Sequence, residues 1–171
     1  MHKRFFHLFA VVGLALLLAA CESGSVDPDT LVFFTNQRVG SEGGRSVICD
    51  NRTTEITYEF TYNSSLIEAL RDWDQVLVGV NSGARGFERR FVPSDGEVSL
   101  LSSRRYRVET TVPGGTAPLS VNDDSVDSQA IIIVPNPQVI GRSRLEVTVR
   151  GDAGTTQRIV FPPLDVIDNC R

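Results

Sequence analysis

From residue 21 onward, the sequence contains no histidine, no lysine and no methionine. The two histidines are His2 and His7, the only lysine is Lys3, and the only methionine is Met1. Without an imidazole, this part of the chain cannot build a Ser-His-Asp or Cys-His catalytic centre, and without lysine it cannot form a Schiff base. Zinc, copper and non-haem iron sites that use histidine or clustered cysteine are excluded as well. Carboxylate chemistry, binding of hard cations through oxygen, and binding without catalysis remain possible.

All basic residues after residue 20 are arginines. Leaving out Lys3 and Arg4 gives 15 arginines against 21 acidic residues, a net charge of −6. This balance argues against a nucleic-acid-binding protein. The planar guanidinium group favours recognition of carboxylates and phosphates, although genomic base composition alone also explains a preference for arginine.

The first 21 residues have the layout of an export signal. His2, Lys3 and Arg4 give a positively charged start, residues 5–20 are almost entirely apolar, and the segment ends in Leu18-Ala19-Ala20-Cys21. A charged head, an apolar middle and a small-residue cleavage site are typical of secretory signals. This segment resembles the type II signal of bacterial lipoproteins, whose lipobox reads Leu-Ala-(Ala/Gly)-Cys. The resemblance covers the export segment only.

The resemblance implies that the leader is cleaved and that Cys21 receives a diacylglycerol on sulfur and an acyl chain, such as palmitate, on its amine. Two or more chains anchor a protein stably to a membrane. Glu22 replaces the aspartate that often marks inner-membrane retention, so we expect anchoring at the outer membrane, on the periplasmic side of the cell envelope. The alternatives are a plain secretory signal and a transmembrane helix, although residues 5–20 are shorter than the roughly 20 residues of a span.

We therefore expect a cleaved leader at residues 1–20, a flexible tether at 21–30 and a single domain at 31–171. Exported proteins tend to pair their thiols. With Cys21 acylated, Cys49 and Cys170 are left to form one disulfide. The alternative is two separate buried thiols.

The rest of the chain has mostly the period-two pattern of strands. Residues 54–62 alternate cleanly between apolar and polar side chains, and turn residues at 93–96 and 151–154 each predict a hairpin. The predicted strands cover residues 31–37, 45–50, 54–62, 75–81, 86–92, 97–101, 104–112, 129–134, 143–150 and 156–161. Short strands separated by such turns predict an all-β, antiparallel two-sheet sandwich, immunoglobulin-like or of a similar kind.

One segment, residues 65–73, predicts a short helix. Ser65 and Glu68 have the spacing of a capping box. Leu66, Leu70 and Trp73 would lie on one helical face, and Trp73 would close one end of the sandwich as a core residue.

Two groups of residues are candidate binding sites. Arg105 and Arg107 share a strand face and could bind carboxylates or phosphates, the alternative being an ordinary solvated face with ion pairs. Asp123, Ser125 and Asp127 offer alternating oxygen ligands for calcium, the alternative being a solvated loop. The acidic stretch lacks the glycine and the closing glutamate of an EF-hand, so no metal site and no cofactor are expected.

The sequence favours a non-enzymatic, membrane-anchored binding or structural module of the cell envelope. Its partner would be an envelope protein or a cell-wall polymer rather than nucleic acid. The first alternative is a periplasmic inhibitor or assembly factor acting on one envelope enzyme or secretion component. A carboxylate-based hydrolase is the third hypothesis, but no motif indicates a catalytic pair.

Overall fold

The computed structural model describes residues 31–40, 44–64, 68–118, 138–168 and Cys170. Within these ranges the chain forms eleven strands and no helix, so the described fold is all-β. The strands are β1 (Val32–Thr35), β2 (Arg38–Val39), β3 (Arg45–Cys49), β4 (Thr54–Thr61), β5 (Leu70–Gly79), β6 (Arg85–Phe91), β7 (Val98–Ser102), β8 (Arg105–Val112), β9 (Val139–Gly151), β10 (Thr156–Val160) and β11 (Leu164–Ile167).

The strands form two sheets, as predicted for a sandwich. The four-stranded sheet has the order β1-β4-β8-β7, and the seven-stranded sheet has the order β2-β3-β11-β9-β5-β6, with β10 also paired to β9. Every pair is antiparallel except β3 with β11, which is parallel. Pro162 and Pro163 separate β10 from β11 because proline has no N–H to donate to the ladder.

The main core lies between the two sheets. Tyr58 and Phe60 of β4 meet Trp73 and Leu77 of β5, and all four are almost fully buried. The Trp73 indole donates a hydrogen bond of 3.0 Å to the Tyr58 hydroxyl, which joins the sheets inside the core. Burial raises the pKa of Tyr58 well above its usual value, so this hydroxyl stays neutral. Trp73 is thus a core residue at the centre of a strand.

The predicted helix at residues 65–73 is wrong where the structure describes it. Residues 68 and 69 are not helical, and β5 begins at Leu70. A bulge between Leu70 and Asp72 adds one residue to β5, which places Leu70 and Trp73 in the same core although they are three positions apart. The bulge thereby imitates helical spacing within a strand.

One predicted hairpin is confirmed and the other is wrong. Residues 151–154 join β9 to β10, which pair antiparallel from Arg150 and Thr156 outward. Residues 93–96 instead connect β6 of the seven-stranded sheet to β7 of the four-stranded sheet. This turn therefore crosses between layers, and alternation alone cannot distinguish the two cases. The predicted strand at 129–134 lies outside the described residues.

Cys49 and Cys170 form the predicted disulfide, with Cα atoms 5.9 Å apart and a sequence separation of 121. The bridge lies with Val47 and Ile167 in a small second core, separate from the main one. A loop of this length corresponds to roughly 4–5 kcal/mol of stabilisation in the chain-entropy model. The bridge holds the end of the chain against β3.

Candidate binding surface

The outer face of the seven-stranded sheet contains carboxylates that lie beneath arginines. Leu145, Val147 and Val149 of β9 point into the core, so the alternate residues of β9 point outward. These include Arg144 and Arg150. The same alternation places charged side chains of β5, β6, β10 and β11 on this face. The face is therefore built by strand periodicity.

Asp72 is the most buried of these carboxylates, with a side chain that is 4% exposed. Its oxygens accept from Arg71 Nε at 2.9 Å, Arg90 Nη2 at 2.7 Å and Arg150 Nε at 2.7 Å. Arg150 also contacts Asp74. Burial alone would raise the pKa of Asp72, but the hydrogen bonds from the three guanidinium groups outweigh it and lower the pKa to about 2. Asp72 is therefore ionised at any pH near neutrality.

Two further carboxylates, Glu146 of β9 and Asp165 of β11, repeat the arrangement. Glu146 accepts from Arg144 Nε at 2.8 Å and from Arg158 Nη2 at 2.6 Å. Burial acts to raise the pKa of Glu146, but its two arginine partners lower it below its usual value. Asp165 of β11 likewise contacts two guanidinium groups, Arg45 Nη2 at 2.8 Å and Arg142 Nε at 3.3 Å.

We name this surface the arginine face. It comprises eight arginines and five acidic residues, a net charge of +3: Arg45, Arg71, Arg85, Arg90, Arg142, Arg144, Arg150 and Arg158 with Asp72, Asp74, Glu88, Glu146 and Asp165. Arg45, Arg90 and Arg158 have exposed side chains, at 69%, 61% and 62%; Arg85 is equally exposed at 61%, but its partner Glu88 is 52% exposed. The three acids that Arg45, Arg90 and Arg158 contact are 12% exposed or less. A ligand approaching this face therefore meets guanidinium groups first.

The geometry of the face suits an extended anion. From Arg142 to Arg150, β9 spans about 27 Å at the usual rise of a strand, with arginines at both ends. A guanidinium group has five N–H donors, and one or two carboxylate contacts leave donors free to bind a carboxylate or phosphate. The buried acids hold the arginines in place, which lowers the entropy lost when a ligand binds.

The structure places the predicted anion-binding residues, Arg105 and Arg107, on the other sheet. Both contact Glu59, whose side chain is 4% exposed: Arg105 Nη2 at 2.6 Å and Arg107 Nε at 2.8 Å. This outer face also contains the exposed Glu55 and Glu109, so its three acids outnumber its two arginines. Burial acts to raise the pKa of Glu59, but the two arginines lower it. The two faces of the sandwich therefore differ in the sign of their local charge.

Sequence reasoning missed the arginine face, although part of its signal was visible. Arg144 and Arg150 stand on the polar side of the predicted strand 143–150, whose other side is formed by Leu145, Val147 and Val149. Arg45, Arg90 and Arg158 come from strands far apart in the sequence. Their assembly depends on strand order, which the sequence pattern does not reveal.

Asp123, Ser125 and Asp127, the weak calcium candidates, lie outside the described residues, as does Cys21. Among the residues that the structure describes, no three His, Cys, Asp or Glu side chains are grouped so that they could hold a metal ion. In the same ranges, no helix is long and apolar enough to cross a membrane.

No protein-family model, no curated protein and no solved structure matches this chain.

Proposed function

We propose that this protein is a non-enzymatic binding module of the bacterial cell envelope, anchored by lipid at Cys21, and that the arginine face contacts an anionic envelope polymer. The observation that supports the proposal most strongly is the layering of exposed guanidinium groups over buried carboxylates. The eight arginines and five acids of the arginine face also give it a net charge of +3, although the chain as a whole is acidic. Local charge of this kind attracts anions more than the overall charge repels them.

The partner is defined by its chemistry as a polymer with repeated carboxylate or phosphate groups. Peptidoglycan presents carboxylates and lipopolysaccharide presents phosphates. The lipid anchor would keep the module near either polymer, which raises the effective concentration of the face at its ligand. Weak individual contacts would then suffice for stable attachment.

The immunoglobulin-like form of the sandwich is part of the proposal. It is supported by two mostly antiparallel sheets and by a chain that crosses repeatedly between them. In antibody domains, a buried tryptophan packs against the disulfide between the two sheets. In this chain the two are apart, because the disulfide lies in the second core and Trp73 lies in the main one.

Two measurements test the proposal. Intact-mass and N-terminal analysis of the protein purified from its native envelope should show chains that begin at an acylated Cys21; an unmodified leader would contradict the anchor. Crosslinking in the native envelope, followed by pull-down, should recover peptidoglycan or lipopolysaccharide with the wild-type protein.

The variant for this pull-down is the triple change Arg45→Gln, Arg90→Gln and Arg158→Gln. It removes three positive charges but leaves each buried carboxylate with at least one arginine. The matched control is Arg38→Gln, Arg52→Gln and Arg105→Gln, which removes the same charge outside the face. Recovery should fall only with the first triple. Equal recovery with both, or capture of a single enzyme in place of polymer, would contradict the proposal.

A further inference from the structure

Three of the acids on the arginine face stand at regular intervals along β9. Glu146 belongs to β9 itself. Asp165 of β11 lies opposite Arg142, whereas Asp72 of β5 lies opposite Arg150. The three acids therefore stand level with positions 142, 146 and 150 of β9, each four residues from the next. Because β11 and β5 flank β9 on opposite sides, the acids form one diagonal row across the sheet.

The length of this row follows from the geometry of a sheet. Four residues of a strand cover about 13 Å, and neighbouring strands lie about 4.8 Å apart. Successive acids of the row are therefore about 14 Å apart, and the whole row is about 28 Å long. A linear ligand that lies along the diagonal passes over all three acids.

Each acid of the row lies within a group of arginines that has one net positive charge. We name these groups the first, second and third arginine clusters. Two clusters combine two arginines with one acid, and the third combines three arginines with two acids. Their members are Arg45, Arg142 and Asp165; Arg144, Arg158 and Glu146; and Arg71, Arg90, Arg150, Asp72 and Asp74.

The net charge of a cluster indicates the charge of the group that it binds. A carboxylate has one negative charge and neutralises one cluster. A phosphomonoester has about 1.5 to 2 negative charges at neutral pH. It would leave excess negative charge above an acid that is 12% exposed or less, which is unfavourable. The clusters therefore favour carboxylates over phosphomonoesters.

We propose that the arginine face binds a linear carboxylate polymer along this row, with one carboxylate at each cluster and successive bound carboxylates about 14 Å apart. Peptidoglycan, rather than lipopolysaccharide, is then the envelope polymer that it binds. This inference rests on the proposed function, because it concerns the same face. Three weak contacts with one polymer strengthen one another, since the first raises the effective concentration of the others.

Peptides with three aspartates test the spacing. Blocked Gly-Ser peptides are added to the purified full chain in detergent at about 20 mM salt, and NMR signals of the arginine Nε–H groups report binding. Aspartates six residues apart have a root-mean-square separation of about 14 Å, whereas aspartates two residues apart are separated by at most about 7 Å. The wider peptide should bind at least about tenfold more tightly, although the two peptides have the same charge.

Arg85 and Arg90 provide a matched pair of single variants. Both belong to β6 and both side chains are 61% exposed, but Arg85 pairs with Glu88 outside the clusters. Arg90→Gln should weaken binding of the wider peptide at least about threefold, and Arg85→Gln should change it less than about twofold. Arg158→Gln should weaken it more than Arg90→Gln does, because the two clusters that remain are about 28 Å apart.

Equal binding of the two peptides, or equal losses with Arg85→Gln and Arg90→Gln, would contradict the row. Either result would mean that the face attracts anions by its charge alone, and the proposed function would stand. Tighter binding of the full chain to purified lipopolysaccharide than to peptidoglycan would contradict the choice of carboxylates. Binding to neither polymer would contradict the proposed function itself, whatever the spacing of the peptides shows.

Discussion

Asp72 is the residue on which the charge arrangement of the arginine face depends most. Asp72→Asn would remove the carboxylate that Arg71, Arg90 and Arg150 share at an almost fully buried site, and it would leave only Arg150 with a second acidic contact, Asp74. We expect a loss of about 3 kcal/mol in the free energy of unfolding, measured by urea denaturation. Asp74→Asn is the control, because Asp74 is more exposed and contacts Arg150 only at one oxygen. It should cost less than about 1 kcal/mol; equal losses would show that Asp72 is not the organising charge.

Gln75 is a second residue with a measurable cost. Its side chain is fully buried on the core side of β5, and within the part of the chain that the structure describes neither its amide nitrogen nor its amide oxygen has a hydrogen-bond partner. Unpaired buried polar groups cost about 1–3 kcal/mol. Gln75→Leu should therefore raise the thermal midpoint.

Gln157→Leu is the comparison for Gln75→Leu, because the Gln157 side-chain oxygen accepts the Asn63 N–H at 3.1 Å. This substitution loses a bond and should lower the midpoint. A fall with Gln75→Leu, measured in the same scan, would mean that the Gln75 amide is satisfied in solution.

The turn between β9 and β10 is held by the segment that precedes β5. Glu68 accepts from the Ser64 hydroxyl at 2.8 Å and from the Ala153 N–H at 2.9 Å, and it also contacts the Tyr62 hydroxyl. A methyl group at Gly151 would lie 2.1 Å from that hydroxyl and 2.5 Å from the Glu68 carboxyl carbon. The turn therefore has no room for a side chain there.

Gly151→Ala should lower the free energy of unfolding by about 2 kcal/mol, because the buried Tyr62 cannot move aside without disturbing the core. Gly96→Ala is the control: an added methyl group there meets nothing within 4 Å. Chemical denaturation measures both. A tolerated Gly151→Ala would show that the contact between turn and segment is loose.

Strand alternation predicted most elements of this fold, because successive side chains in a strand point to opposite faces of the sheet. It failed at Leu70, because a bulge shifts the alternation by one residue and produces the spacing of a helix. It also failed after Phe91, where the chain passes from one sheet to the other. The pairing of Cys49 with Cys170 was predictable, since only two cysteines follow Cys21 and the leader predicts export. The arginine face was not, because it requires knowing which strands are neighbours.

The paired carboxylates predict how the stability of the fold depends on pH. The pKa of Asp72 is lowered to about 2, and hydrogen bonds from Thr155 and Tyr62 lower that of Glu68 to about 2 as well. A group whose folded pKa is lowered stabilises the fold above its unfolded pKa, about 4 for both. This contribution is lost as the pH falls from about 4 towards 2.

We therefore expect the urea midpoint to be nearly constant from about pH 7 to about pH 5 and to fall steeply between about pH 4 and about pH 2. Asp72→Asn should flatten part of that fall. A midpoint that is unchanged down to about pH 2 would contradict the assigned pairings.

Binding of the two charge-matched triple variants to purified peptidoglycan and to lipopolysaccharide shows whether the arginine face binds anions. At about 20 mM salt, Arg45→Gln/Arg90→Gln/Arg158→Gln should weaken binding to one of these polymers at least about tenfold, while Arg38→Gln/Arg52→Gln/Arg105→Gln should change it less than about twofold. About 500 mM salt should remove most of the difference. Equal binding by both variants at low salt would contradict an anion-binding role for the arginine face.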